Sequence, residues 1–404
     1  MKILLLHNHY QSSSPSGEDV AVENDRLLLE AAGHQVLTYS RHNDSIAPSI
    51  RSRIQAARTL FWSREAYRDI SRLLVAEQPD IAHFHNTFPL ISVSGYRACR
   101  THGVPIVQTL HNYRLICPGA LLMRSGRPCE QCIDHSLLSS VQHACYRNSR
   151  VGTALVASML AVNRRRRVYT KDVDRYICLT RFAVERFVRA GFPSRLLIVR
   201  PNGLLNPPNA GHGEGRFALY VGRLSKEKGV ETLIRAWQDI DYPLRIVGEG
   251  PLRTSLEQLA RSLQVSVIFE GFRTRSEVHA FMQDATLMVT PSEWYEGFPV
   301  VTLEGLAAGT PMVVSALGAL DEIIDSPANG LKFNPGDPVS LRQAVVALLG
   351  NPAALSAMRL SNRKLFEEQY SPQSAVRSLE SIYQTLRVDR RSGDNGTPTV
   401  GQEC

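Results

Sequence analysis

Short apolar runs alternate with amphipathic stretches along almost the entire chain. "KILLL" (2–6) leads through a loop to "GEDVAVENDRLLLEAAG" (17–33) and then to "QVLTYS" (35–40). The outer two have the length of strands. The middle one spaces its apolar residues helically and closes on Gly33, so the pattern predicts strand, helix, strand. "DIAHFH", "PIVQTL", "RYICLT" and "LLIVRPNG" continue the rhythm as far as residue 203. "NPPNAGHGEG" (206–215) has the Pro, Gly and Asn content of a linker. After it the alternation restarts with "FALYVG", "LRIVG", "SVIFEG", "TLMVTPS" and "PMVVS". Such runs, separated by helices, predict parallel sheets covered on both faces. The expected fold class is α/β, with two doubly wound Rossmann-like domains facing each other across a cleft. The first spans 1–205 and the second 206–370. A C-terminal helix at 371–388 crosses back to the first domain, and 389–404 has the composition of a disordered tail.

In doubly wound sheets, ligands bind beyond the carboxyl ends of the strands, so loops that follow strands are where chemistry is expected. Between "TLMVTPS" and "PMVVS" lies "EWYEGFPVVTLEGLAAG". Pro299 suits a first helical turn and Gly309 ends the helix, which puts Glu296 in the crevice loop and Glu304 about a turn and a half into the helix. Paired carboxylates accept hydrogen bonds from adjacent sugar hydroxyls. Their spacing alone fits a surface pair equally well, with Glu296 favouring the positive end of the helix. In "YVGRLSKEKG", Arg223 and Lys228 precede a helix, an arrangement suited to phosphate or diphosphate. The turn carrying Gly250 in "GEGP" allows a close backbone approach. The small-residue loop ending at Gly17 suits a second phosphate cradle, and His111 ends the strand "PIVQTL", where it is expected to face the same cleft.

With 404 residues, 43% hydrophobic and 21% charged, the chain is globular. It has no run of ~18 apolar residues as a membrane span requires. The apolar start is too short for a signal-peptide core and has no small-residue cleavage site, so it reads as a first strand and a cytoplasmic location is expected. Charge is uneven: residues 1–200 hold 27 Lys and Arg against 15 Asp and Glu, and the remainder holds 19 against 23. A basic front half points to an anionic partner. Arg mixes with Leu60, Phe61, Trp62 and Tyr67 in residues 49–74, and Arg164 to Arg167 form a second basic run. Peripheral contact with anionic membrane and a merely solvated helix face both fit these stretches. No nucleic-acid recognition module is present, so no nucleic acid is expected as a partner.

Seven cysteines without an export signal do not suggest a disulfide framework. Four of them, Cys117, Cys129, Cys132 and Cys145, cluster at 117–145 around a C-x-x-C pair. That spacing fits a structural zinc site, with His135 or His143 as substitutes for one sulfur, and fits equally a set of reduced thiols in a loop.

Taken together, "TLHN", "RPNG", "YVGRLSKEKG", "GEGP" and Glu296-x7-Glu304 within "EGFPVVTLEGLAAGTPMVVS" resemble the retaining nucleotide-sugar glycosyltransferases of family 4, which have the GT-B fold. The resemblance covers about residues 1–385 and extends to bacterial surface-polysaccharide members that share the four-cysteine insert. It implies an acceptor-side first domain and a nucleotide-sugar-binding second domain. Glu304 would hold the ribose hydroxyls, and Arg223 and Lys228 would neutralise the donor diphosphate. Gly17, Gly250, Gly297 and Phe298 would complete the donor site, with His111 and Glu296 beside the transferred sugar as catalytic residues. No cofactor is implied for catalysis. The implied activity is transfer of a hexose from a nucleotide-diphosphate sugar donor to a glycan or lipid-linked acceptor in polysaccharide biosynthesis, at the inner membrane face. A non-catalytic nucleotide-sugar-binding subunit is the alternative. Three positions depart from the family pattern: Ser16 replaces the first glycine of the usual pair, Leu205 stands where many relatives carry Asp after the "NG" pair, and Pro299 offers no N–H to the donor sugar.

Overall fold

The computed structural model describes residues 1–12, 17–46 and 49–394. In the first domain β1 (Lys2–His9), β2 (Gln35–His42), β3 (Ile81–Phe84) and β4 (Ile106–Leu110) are followed by a small hairpin of β5 (Met123–Arg124) and β6 (Arg127–Pro128). β7 (Arg175–Cys178) and β8 (Leu197–Val199) complete it. The second domain contains β9 (Ala218–Val221), β10 (Leu244–Val247), β11 (Val267–Gly271), β12 (Leu287–Thr290), β13 (Met312–Ser315) and β14 (Gly330–Phe333). Each domain has one six-stranded sheet, ordered β2-β1-β3-β4-β7-β8 and β11-β10-β9-β12-β13-β14. Every pairing within both sheets is parallel.

Two elements escape the sequence pattern. β14 is a four-residue edge strand interrupted by a lysine, and the β5–β6 hairpin is only two residues long on each side. Neither provides enough apolar alternation to register.

The strands are apolar because both faces are covered. Along β1, Leu4 and Leu6 join the core shared with Phe84, Tyr96 and Tyr176, while Ile3 and Leu5 face the opposite layer. That alternation follows from the period of two in a strand. The opposite layer is built by the end of the chain. The segment Phe366–Tyr370 leaves the second domain, and the helix Pro372–Asp394 returns onto the first. Its Leu379, Ile382, Tyr383 and Leu386 pack against Ile3, Leu5, Ile81, Val107 and Ile177. Burying each such side chain contributes about 1.5–3 kcal/mol. Polar contacts fix the register: Tyr383 bonds His83 at 2.7 Å, and Glu380 bonds His34 at 2.8 Å. The helix continues to Asp394, six residues beyond Val388, where polar composition predicts disorder; a helix already anchored through Leu386 propagates at little expense. Residues 395–404 of the expected tail lie outside the described residues.

Where the chain crosses between domains, Arg200 and Asp25 form a pair with 0% and 2% side-chain exposure, at 2.8 Å. A guanidinium and a carboxylate buried so completely persist only when each satisfies the other. Among the described residues no single helix is long and apolar enough to cross a membrane.

Candidate active site

Strand order places the site. In the second sheet the chain reverses direction of growth between β9 and β12, and in the first between β1 and β3. In doubly wound sheets, ligands bind against the loops that follow the strands at these reversals. After β9, Gly222 leads to Arg223, and a short 3₁₀ turn, Lys226–Lys228, precedes the helix Val230–Ala236. After β12, residues 291–299 lead to the helix Val300–Ala307. Gly229 joins the two loops: with φ of +67°, a Cβ there would lie 1.9 Å from the Pro291 carbonyl oxygen.

This packing brings Lys228 and Glu296 together. The Lys228 ammonium donates to Glu296 Oε1 at 2.7 Å, and the Ser292 hydroxyl donates to the same oxygen at 2.7 Å. Glu296 is only 5% exposed, and these two donors satisfy its buried oxygen. Lys228 also sits 5.6 Å from the Trp294 ring centre. Arg223 is exposed and has no side-chain partner among the described residues, which leaves its guanidinium available to an incoming anion.

Glu304 is buried one layer away. It accepts from Arg275 Nε at 3.1 Å and from His279 Nε2 at 3.3 Å. Sequence reasoning missed both partners. Their signal was present in "RTRSEVHAF", where Arg275 and His279 stand four apart and share a face of one helix, Arg275–Asp284.

The remaining predicted positions divide. Gly297 is where the domains touch: a Cβ there would come within 2.4 Å of the His111 carbonyl oxygen. Phe298 differs from expectation, because its ring belongs to the second domain's core beside Tyr370, so only its backbone faces the loop. Its carbonyl accepts from Asn202 Nδ2 at 3.3 Å. Pro299 is the N-cap of its helix rather than part of the first turn. Gly250 makes a close approach, but to protein: a Cβ would meet the Leu224 carbonyl oxygen at 2.4 Å, so it serves to pack the β10 turn on the β9 turn. Gly17 is the first residue of the helix Gly17–Ala31, with open space where a Cβ would be; the loop residues 13–16 before it lie outside the described residues.

The first domain contributes histidines. His111 follows β4, and its Nε2 lies 2.9 Å from His85 Nδ1 with the rings stacked. His85 and His83 sit in turn at 4.3 Å between ring centres, and His7 bonds Asp19 at 2.8 Å. Solvent reaches the rim of His111, yet protein surrounds the ring, and burial together with His7 and Arg200 pushes its pKa down to about 3. Burial, with Arg200 and the adjacent histidines adding to it, likewise holds His83 and His85 well below the ordinary value. These are neutral imidazoles. The H-x-H spacings His7/His9 and His83/His85 each put two rings on one strand face, a readable signal that sequence reasoning passed over. Nearby, Glu18 accepts from Tyr10 at 3.1 Å and from Asn112 at 3.2 Å, and burial raises its carboxyl above the usual range.

Two Rossmann-like α/β domains, each with a parallel sheet, are the architecture of the GT-B class. Residues 27–204 match the model described as "Glycosyltransferase Family 4", and residues 206–365 match "Glycosyl transferases group 1". The chain is a glycosyltransferase of GT-B architecture composed of these two domains. It is 24% identical to an uncharacterized glycosyltransferase of Methanocaldococcus jannaschii, covering 96% of this chain and 99% of the relative. It is 28% identical to the alpha-D-kanosaminyltransferase of Streptomyces kanamyceticus, covering 72% and 73%. Among solved structures, Anabaena HepE in complex with UDP superimposes with a TM-score of 0.66 at 17% identity, covering 95% of this chain and 100% of that one.

Proposed function

We propose that the protein is a retaining hexosyltransferase that moves a sugar from a nucleotide diphosphate to a glycan or lipid-linked acceptor in polysaccharide assembly. The observation that carries this is the Lys228–Glu296 pair at 2.7 Å, beside an unpartnered Arg223 and across Gly297 from His111. The bond between the anomeric carbon and the diphosphate oxygen breaks with its electron pair on the oxygen, and the acceptor hydroxyl oxygen bonds to the anomeric carbon. Charge therefore grows negative on the leaving group and positive on the sugar. Arg223 and Lys228 stabilise the former. Glu296 is already held by two donors, which suits it to positioning Lys228 and the sugar rather than to attack. The acceptor proton passes to the departing phosphate on the same face, giving retention. Glu304, in reach of the Arg275–Asp284 helix, holds the ribose.

UDP in the HepE structure supports a nucleotide donor, given the shared fold. Exposed Trp62 and Ile54 beside the basic segment support work at an anionic inner membrane surface. The test is incubation of the purified chain with a panel of sugar nucleotides and extracted lipid-linked acceptors, following nucleoside diphosphate release and anomeric configuration. Release from one donor with retention is expected. No release from any donor, or none lost in Lys228→Ala, overturns the reading.

A further inference from the structure

Two sequence features lie outside the site described above. One is the four-cysteine insert, whose sulfurs are not gathered at metal-ligand distance among the described residues. The other is the basic run Arg164 to Arg167, and the structure divides it. Arg164 turns inward, its Nη2 donating to the Leu115 carbonyl at 3.2 Å. Arg165, Arg166 and Arg167 are exposed, and their side chains make no hydrogen bond or ion pair among the described residues. The chain then enters the short helix Val168–Lys171, which forms one wall of a cavity of about 440 Å³. This cavity lies at the far edge of the first sheet: its lining residues Pro105, Asp174 and Leu196 immediately precede β4, β7 and β8, three neighbouring strands. His111 follows the opposite end of β4, and the five residues of that strand put roughly 17 Å between the two ends. The cavity is therefore separate from the histidines and the donor loops.

Its lining has the chemistry of an anion site. Arg100, Lys171, Arg175 and Arg195 face the space against a single carboxylate, Asp174, so four positive charges meet one negative. That carboxylate is already engaged: its Oδ2 accepts from the Ile106 N–H at 2.8 Å, and its Oδ1 pairs with Arg100 at 2.8 Å. Arg100, in the helix Ser94–Thr101, is oriented further by donating to the carbonyls of Lys171 and Asp172, each at 2.9 Å. Arg175 donates to the Asp174 carbonyl at 3.0 Å. Lys171 and Arg195 are exposed, and their side chains make no hydrogen bond or ion pair among the described residues. Cations gathered in a concavity repel one another and raise the potential inside it, and an anion entering relieves both. Beneath them Val173, Leu196 and Leu386 form a buried apolar floor. Leu386 belongs to the C-terminal helix, so the returning end of the chain completes the cavity. None of the lining residues is aromatic, which leaves no ring for a nucleobase to stack on.

We propose that this cavity binds a phosphate group carried by a molecule without a nucleobase, either a soluble phosphomonoester or the headgroup of an anionic lipid. A phosphate monoester presents its terminal oxygens in several directions and takes charge-assisted hydrogen bonds from several cations at once, which suits donors arriving from separate elements. A carboxylate, with two oxygens in one plane, engages fewer of them. The apolar floor receives the carbon part of the ligand. The exposed Arg165, Arg166 and Arg167 lead into the wall of the cavity and attract anions toward it. The site stands apart from the proposed function: donor chemistry in the cleft neither requires it nor depends on it.

Two arms test the two sources on the full chain. Glycerol 3-phosphate is titrated into the protein by calorimetry, and the protein is floated with phosphatidylcholine vesicles with and without phosphatidic acid. Saturable binding is expected in at least one arm: the first alone identifies a soluble phosphomonoester, the second alone a lipid headgroup, and both together show that the phosphate suffices. Lys171→Glu with Arg195→Glu is expected to weaken that binding by about 10-fold or more, as two charge-assisted contacts are lost. Both side chains are exposed and without partners, so the fold should persist, which an unchanged melting temperature checks. Arg165→Glu with Arg166→Glu makes the same change in net charge outside the cavity and should weaken binding only about 2-fold, through screened attraction. Equal losses in the two variants would reveal diffuse surface charge and overturn the cavity. Binding in neither arm overturns it as well, and binding that Lys171→Glu with Arg195→Glu leaves intact belongs elsewhere on the molecule and does the same.

Discussion

The two halves of the cleft solve opposite electrostatic problems. On the second domain, charge is concentrated and paired: Lys228 with Glu296, and Arg275 and His279 with Glu304. On the first, His83, His85 and His111 are surrounded by protein until they are neutral. A site that must hold a diphosphate needs fixed cations, and cations in a poorly solvated loop need carboxylates to keep them in place. On the function proposed above, the first domain faces hydroxyl groups and needs donors and acceptors without net charge, since a charged imidazole there would repel Arg200 and the positive charge growing on the sugar.

The comparison breaks most readily at Lys228. Lys228→Ala removes the cation and leaves Glu296 buried with only Ser292 as donor. A fall in kcat/KM for the donor of roughly 10²–10³-fold is expected, the range found when one charge-stabilising donor is lost. Inhibition by the free nucleoside, which lacks phosphate, should be unchanged. Gly297→Ala tests the seam between the halves. The added methyl collides with the His111 carbonyl, so the donor loop must retreat, and about 10²-fold in kcat is expected to go with it. Full activity in that variant would mean that the halves do not meet there during turnover.

Glu304→Gln keeps the shape and removes the charge. A rise in donor KM of roughly 10-fold is expected from loss of about 1.5 kcal/mol in charge-assisted hydrogen bonding, with kcat little changed. The smallest effect concerns the neutral half. Unfolded, these histidines titrate near 6.5; folded, they lie lower, His111 at about 3. The unfolded chain therefore binds more protons below 6.5, so their contribution to stability is complete above that pH and is lost as pH falls through it. Melting temperature measured from pH 8 to pH 5 should decline below 6.5, and His111→Gln should make that decline shallower. An unchanged slope would show that His111 carries its proton in the folded state.

Much of the fold was legible because buried parallel strands must be apolar along their whole length. The runs "KILLL", "FALYVG" and "PMVVS" stand out from the helices between them for that reason. β14 and the β5–β6 hairpin were not legible, being short and at the edge. Within the site, Arg223, Lys228 and Glu296 could be picked out because they follow strands. The roles of Phe298 and Gly250 could not, since an apolar ring and a glycine look the same in sequence whether they meet a ligand or a neighbouring loop.

By itself, the order of apolar and polar residues determined two doubly wound sheets and the loops at their carboxyl ends. Local patterning suffices there, because the period of a strand or helix is written in consecutive residues. Only the tertiary structure decided that Glu304 is gripped by Arg275 and His279, and that Gly297 abuts His111. Those contacts join residues up to 186 positions apart in the case of Gly297 and His111. Which side chains meet over such separations is set by how helices and sheets pack, not by any spacing along the chain.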